Sequence, residues 1–231
     1  MNSMSNLCII PARGGSKRIP RKNIKPFLEK PIIAYSIEVA IKSGLFDEIM
    51  VSTDDLEIAD IAEKFGAKIP FLRSDVNAND YATLADVLIE VLTQYNKQGQ
   101  DFKNICCILP TTPLVSNKKV NEAYSLFLDG TFDSLCPIVA FSYPILRALE
   151  FEEDNLRMIW PEYIKTRSQD LKPAYHDSGS FYWVRSKALL DEKTLFCKNG
   201  SAIILSENEV QDIDTETDWQ LAELKYKLLY E

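Results

Sequence analysis

Histidine occurs once in the 231 residues, as His176, so chemistry that needs paired imidazoles has no material here. The five cysteines, Cys8, Cys106, Cys107, Cys136 and Cys197, are odd in number and form no Cys-x-x-Cys pair. That excludes the usual zinc and dithiol patterns and fits reduced thiols in a cytoplasmic protein. Glycine is scarce too, at eight residues. Neither Gly-x-Gly-x-x-Gly nor Gly-x-x-x-x-Gly-Lys-Ser/Thr occurs, which removes the dinucleotide and P-loop fingerprints. No apolar run approaches the roughly 20 residues a bilayer-crossing helix needs. Residues 1–7 have neither the basic nor the apolar region of a signal peptide, so no leader is expected. A net charge of −8 and a pI near 4.9 exclude a general nucleic-acid binder, which would be basic over a broad face.

What remains is a 46% hydrophobic chain of one-domain length, residues 1–231. Residues 7–10 form a short continuous apolar run, the pattern of a strand buried on both faces. Ile33, Ile37, Ala40 and Ile41 then recur at helical spacing, and Gly44 stands where a C-cap belongs. Residues 48–52 read as a strand, with Asp54 or Asp55 capping a helix that Gly66 ends. Residues 69–72 read as a further short strand. Thr83 opens the clearest helix, with Leu84, Val87, Leu88, Val91, Leu92 and Tyr95 on one stripe and Asp86 completing a near capping box. Strands at 105–109, 135–139, 181–184 and 202–205 and helices after 117 and 215 complete the pattern, the last helix with Trp219, Ala222, Tyr226 and Leu229 on one face. Such alternation predicts an α/β fold, a Rossmann-like, mostly parallel sheet with helices on both faces. Residues 142–173 break the alternation with prolines, charge and aromatics. They read as an inserted arm or small lobe, packing either on a partner subunit or on the chain's own core.

Charge within this acidic chain is uneven. Arg13, Lys17, Arg18, Arg21, Lys22 and Lys25 crowd one loop directly after the first strand, with no acidic residue before Glu29. Outside that loop 20 basic residues face 34 acidic ones. Gly14 and Gly15 let its backbone turn and offer N–H groups to a ligand. The expected ligand is a polyanion, most simply a nucleoside triphosphate; the bland alternative is a solvated basic loop. In an open parallel sheet ligands bind beyond the carboxyl ends of the strands. The loops at 52–55, 110–113 and 212–215 fall there with the basic loop. Asp212 and Asp214 are two residues apart, so on an extended segment both carboxylates point the same way and suit a hard cation shared with phosphate oxygens. The plainer alternative makes Asp214 and Thr215 a helix cap.

The run Pro11-Ala12-Arg13-Gly14-Gly15-Ser16-Lys17-Arg18-Ile19-Pro20-Arg21-Lys22-Asn23 resembles the signature of the sugar-acid cytidylyltransferases, and the likeness spans nearly the whole chain. These enzymes activate sialic, legionaminic, pseudaminic and related ulosonic acids as CMP conjugates. The resemblance implies a cytidylyltransferase acting on CTP and a nonulosonic acid with Mg²⁺, working as a homodimer. It implies nucleotide contacts from Ala12, Arg13, Gly14, Ser16, Lys17, Lys22, Asn23, Asp80 and Thr83, with Lys17 neutralising the phosphates. Arg13, Lys17 and Asp212 would be catalytic. Asp212-Ile213-Asp214-Thr215 is similar to the family's metal-carrying element, so Asp212 and Asp214 would hold the ion. Leu109, Thr111, Arg167, Gln169, Ser178 and Phe181 fall where the family contacts the sugar acid, although Arg167 and Gln169 also read as a solvated arm. His176 is read as structural, not as the base. Sialic-acid enzymes have Gln where this chain has Leu109, and the run from His176 to Trp183 looks more like the pseudaminic-acid enzymes. Pseudaminic acid is therefore the preferred sugar, with N-acetylneuraminate, legionaminate and deoxyoctulosonate as alternatives. A non-catalytic nucleotide-binding domain is the reading from another class.

Overall fold

The computed structural model describes residues 5–231. In chain order its regular elements are β1 (Asn6–Pro11), β2 (Pro26–Phe27), β3 (Lys30–Pro31), α1 (Ile32–Ser43), β4 (Glu48–Ser52), α2 (Leu56–Lys64), α3 (Asp75–Ala78), α4 (Leu84–Lys97) and β5 (Asn104–Ile108). They continue with α5 (Asn117–Asp129), β6 (Ser134–Ala140), β7 (Leu149–Glu152), β8 (Asn155–Met158), β9 (Tyr175–Asp177), β10 (Phe181–Arg185), α6 (Ser186–Glu192), β11 (Gly200–Leu205) and α7 (Glu216–Tyr230).

The central sheet runs β11-β6-β10-β5-β1-β4, with β9 paired to β6. Strands β4, β1, β5, β6 and β11 share one direction, while β9 and β10 run against them. The sheet is therefore mostly parallel, as the alternation predicts, with helices packed on it. Its two faces follow from the pleat, which sends successive side chains to opposite sides. Cys8 and Ile10 of β1 join one core with Ile33 and Ile37 of α1, Ile58 of α2 and Phe127 of α5. Leu7 and Ile9 join the other with Leu88, Val91 and Tyr95 of α4 and Leu189 of α6. All five cysteines are buried in these cores as free thiols. Burial pushes the Cys107 thiol up to about 12, so it stays neutral.

Three expectations are corrected. Residues 69–72 form no strand; Lys68 makes a single parallel bridge to Met50. Pro70 follows two residues later and has no N–H to continue a ladder. The stretch between β6 and β9 is more regular than expected, because β7 and β8 pair as a hairpin. Glu153 and Asp154 turn it with φ of 48° and 62°, the positive values a type I′ turn requires. Finally, α7 buries Trp219 and Ala222 but leaves Leu229 exposed.

A third apolar cluster positions the site. Ile19, from within the basic loop, and Ile213, from between the two carboxylates, are each 1% exposed and pack with Phe27, Ile32, Tyr35, Trp219 and Ala222. Hydrophobic burial thus draws the most cationic loop and the Asp212–Asp214 segment together, although their sequence separation is about that of the whole fold.

Candidate active site

The basic loop leaves the carboxyl end of β1, beside the ends of β4 and β5. Pro11, Arg13, Ser16, Lys17, Lys22, Asn23, Pro110 and Thr111 are among the residues lining a crevice of about 380 Å³ there. A second hollow of about 220 Å³ adjoins it, sharing Pro11 and Arg13 and lined further by Arg73, Asn77, Asp80 and Thr83. A third, of about 370 Å³, lies between β9 and the segment before α7; Ser142, His176, Asp177, Ser178, Gln211 and Asp212 are on its walls.

The first crevice joins the two ends of the chain. Arg18 Nη1 lies 2.7 Å from Asp214 Oδ2. Lys22 Nζ donates to the Ile213 carbonyl at 2.6 Å and lies 3.6 Å from Asp214 Oδ1. Arg13 Nη1 donates to Asp80 Oδ1 at 2.7 Å and to the Asn79 carbonyl at 3.1 Å, and Lys17 pairs with the other oxygen of the same carboxylate. Lys17 and Arg13 together hold the Asp80 carboxyl below the usual carboxylate range. One carboxylate thus bridges the two cations assigned to the phosphates and leaves one net positive charge. Exposed pairs of this kind are worth little individually, so a triphosphate with several charges can displace it.

Several of the expected site residues are brought together here. Ser16 and Thr111 line the crevice, and Asn23 is 6% exposed, with its side-chain amide donating to the Arg13 carbonyl at 2.9 Å. Gly14 donates its backbone N–H to Asp54 Oδ1 at 3.0 Å. Thr83 caps α4 in a full capping box with Asp86 and also lines the second hollow. Ser178 is buried on the wall of the third hollow, its hydroxyl 2.6 Å from that of Ser180.

Others fall elsewhere. Phe181 and Ala12 are fully buried in the sheet core, so their side chains cannot reach a ligand; Ala12 offers only backbone, and its N–H is already bonded to the Ser52 carbonyl at 2.9 Å. The inward pleat position in β10 accounts for the burial of Phe181. Leu109 packs half-buried against the second core, and its carbonyl accepts from Ser36 and Thr112. Arg167 sits on the arm, paired with Asp170 at 2.7 Å, and neither it nor Gln169 lines any of the three hollows. Arg73 was missed. It is 8% exposed, fixed by its Nε to the Ser52 hydroxyl at 3.1 Å and its Nη2 to the Ser52 carbonyl, and it faces the hollow beside Thr83. A lone arginine in a polar loop carries no periodic signal; only the fold buries it.

The carboxylates suit a hard cation in part. Asp212 and Asp214 flank buried Ile213 and both reach solvent, and no ion pair engages Asp212 among the described residues. No group of three or more His, Cys, Asp or Glu side chains stands close enough to hold a metal alone among those residues. Asp214 is already engaged by Arg18 and Lys22, so a hard cation here would need oxygens from a bound phosphate as well.

Residues 7–196 match the family described as cytidylyltransferase. The chain belongs to that family. It is accordingly a nucleotidyltransferase. It is 46% identical over 229 residues to a pseudaminic acid cytidylyltransferase of Campylobacter jejuni subsp. jejuni serotype O:23/36 (strain 81-176), covering 99% of both chains. It is 32% identical to a CMP-N,N'-diacetyllegionaminic acid synthase of Legionella pneumophila subsp. pneumophila, covering 95% of each. Its fold matches a CMP:2-keto-3-deoxy-manno-octonic acid synthetase solved with CTP, at a TM-score of 0.70 and 18% identity over 97% of this chain and 98% of that one. No described helix is long and apolar enough to cross a membrane.

Proposed function

We propose that this cytidylyltransferase transfers CMP from CTP to the anomeric hydroxyl of a nonulosonic acid, with pseudaminic acid preferred, and releases pyrophosphate. The observation that supports the reading is the meeting of Arg18 and Lys22 with the Ile213–Asp214 segment, which brings the end of the acidic segment against the cationic loop. The choice of sugar rests on the full-length likeness to the Campylobacter enzyme.

In this reading Lys17, Arg13 and Lys22 take the phosphate oxygens after the nucleotide displaces Asp80. The sugar hydroxyl attacks the α-phosphorus, the bond to the β-phosphate breaks, and Asp212 would receive the hydroxyl proton. Mg²⁺ held by Asp212 and Asp214 would supply charge neutralisation on the phosphates. Positioning and preorganised charge do most of the work, as in phosphoryl transfer generally. The third hollow, open beside Asp212 and walled by Ser178, is where the sugar would lie. Residues 142–173 would seat a second copy, and the protein would work in the cytoplasm, where its free thiols stay reduced.

The test is pyrophosphate release from each of the four nucleoside triphosphates against pseudaminic, legionaminic, N-acetylneuraminic and deoxyoctulosonic acids. Release is expected with CTP and pseudaminic acid. Turnover confined to the deoxyoctulosonate column would reject the sugar assignment, and turnover in no combination would reject the reaction.

A further inference from the structure

Arg21 belongs to the cationic loop by sequence yet faces away from the crevice. Its guanidinium donates to Asp55 Oδ2 at 2.5 Å and Oδ1 at 3.0 Å, and to Glu57 Oε2 at 2.5 Å. Two carboxylates neutralise it, so it adds no net positive charge to the site. Its backbone is also unusual, with φ of 57°, a left-handed conformation that a side chain with Cβ rarely adopts unless its surroundings hold it there.

Asp55 is the other half of the clamp. One of its oxygens also caps α2 by accepting from the Ile58 N–H at 3.0 Å. The opening of the loop is pinned to the same spot. Gly14 bonds to Asp54, and a Cβ built on Gly14 would meet Asp55 Oδ2 at 2.8 Å. The residues leading into α2 therefore grip the loop at both ends, at Gly14 and at Arg21. The residues between them include Ser16 and Lys17, which face the crevice.

We propose that Arg21 and Asp55 are positioning residues that preorganise the phosphate-binding loop for the nucleotide. This rests on the proposed use of the crevice for CTP. A loop held in its bound shape loses less freedom when ligand arrives, so the clamp acts on nucleotide affinity through Lys17 and its neighbours without touching the nucleotide. Bidentate geometry is part of the device, because a lysine ammonium cannot reproduce the two-pronged contact.

The test compares Arg21→Ala, Arg21→Lys, Asp55→Asn and the Arg21→Ala/Asp55→Asn double variant, all in the full chain. Asparagine caps helices as well as aspartate, so Asp55→Asn removes the clamp and keeps the cap. The readouts are the calorimetric Kd for CTP, the KM and kcat for CTP, and the melting temperature. Each single variant should weaken CTP binding by roughly tenfold, about 1.4 kcal/mol. The double variant should be no worse than the singles, Arg21→Lys should fail to restore affinity, and Asp55→Asn should lose only the small melting-temperature contribution of a partly exposed ion pair. Multiplied effects in the double variant, or unchanged CTP affinity in Asp55→Asn, would overturn the clamp. Absence of CTP binding by the wild type would instead reject the crevice as a CTP site, and the clamp's function with it.

Discussion

The crevice and the hairpin arm are opposite kinds of surface. At the crevice the charged side chains already have partners: Arg18 and Lys22 with Asp214, Arg13 and Lys17 with Asp80. On the arm the apolar groups are the ones left out, with Phe151 68%, Leu156 64% and Ile164 61% exposed. A two-stranded hairpin is marginal in water by itself. The difference teaches that the polar groups of the crevice find partners in their own chain, whereas the arm leaves large apolar side chains open to solvent, the surface the proposed second copy would use.

The largest effect should come from breaking the polar side. Lys17→Ala is expected to lower turnover roughly 10²–10³-fold, the scale of removing one preorganised electrostatic contact. A pyrophosphate-release assay at the wild-type rate would take Lys17 out of the mechanism. Next is the apolar anchor beneath it. Ile213→Ala should cost about 2–5 kcal/mol by denaturant unfolding, the usual range for emptying a buried isoleucine, and should weaken CTP binding by loosening the loop from Asp214. Thr83→Ala should cost about 1 kcal/mol, or about 2–4 °C in Tm, through loss of the α4 cap.

Acid offers a smaller contrast. Hydrogen bonding and charge from Arg21 hold the Asp55 carboxyl below the usual range, so its folded form binds a proton less readily than its unfolded form. That stability is present above the ordinary aspartate value near 4 and is lost as pH falls through the lower folded value. Below about pH 4 the wild type's Tm should therefore fall more steeply than that of Asp55→Asn. Smallest in stability is the arm. Phe151→Ser with Leu156→Ser should change unfolding by about 0.5 kcal/mol or less per site, while halving the particle mass in gel filtration. An unchanged mass would detach the arm from self-association.

The sheet and most helices were legible because their signals are periodic. The stripe from Leu84 to Tyr95 and the short apolar runs each match one face or one buried strand. The crevice was legible because charge concentrated where glycines stood. What escaped notice depends on tertiary contact. Ile19 and Ile213 look like isolated apolar residues among charges, and their meeting is visible only once α7 docks. Arg73 needed Ser52 across the fold to be buried. Phe181 sat in a motif that otherwise lines a hollow, and the pleat turned it inward. The hairpin was hidden because Glu153 and Asp154 take left-handed turn positions more often given to Asn and Gly.

The bond from Lys22 to the Ile213 carbonyl closes a loop of 191 residues. A ribosome delivers the cationic end first and the carboxylate end last, so the sheet can be complete while the crevice still lacks a wall. Nucleotide competence should arrive in a single late event, when α7 swings Trp219 onto Phe27. Until that moment Arg18 and Lys22 of a nascent chain would lack Asp214, the carboxylate that faces them in the folded protein.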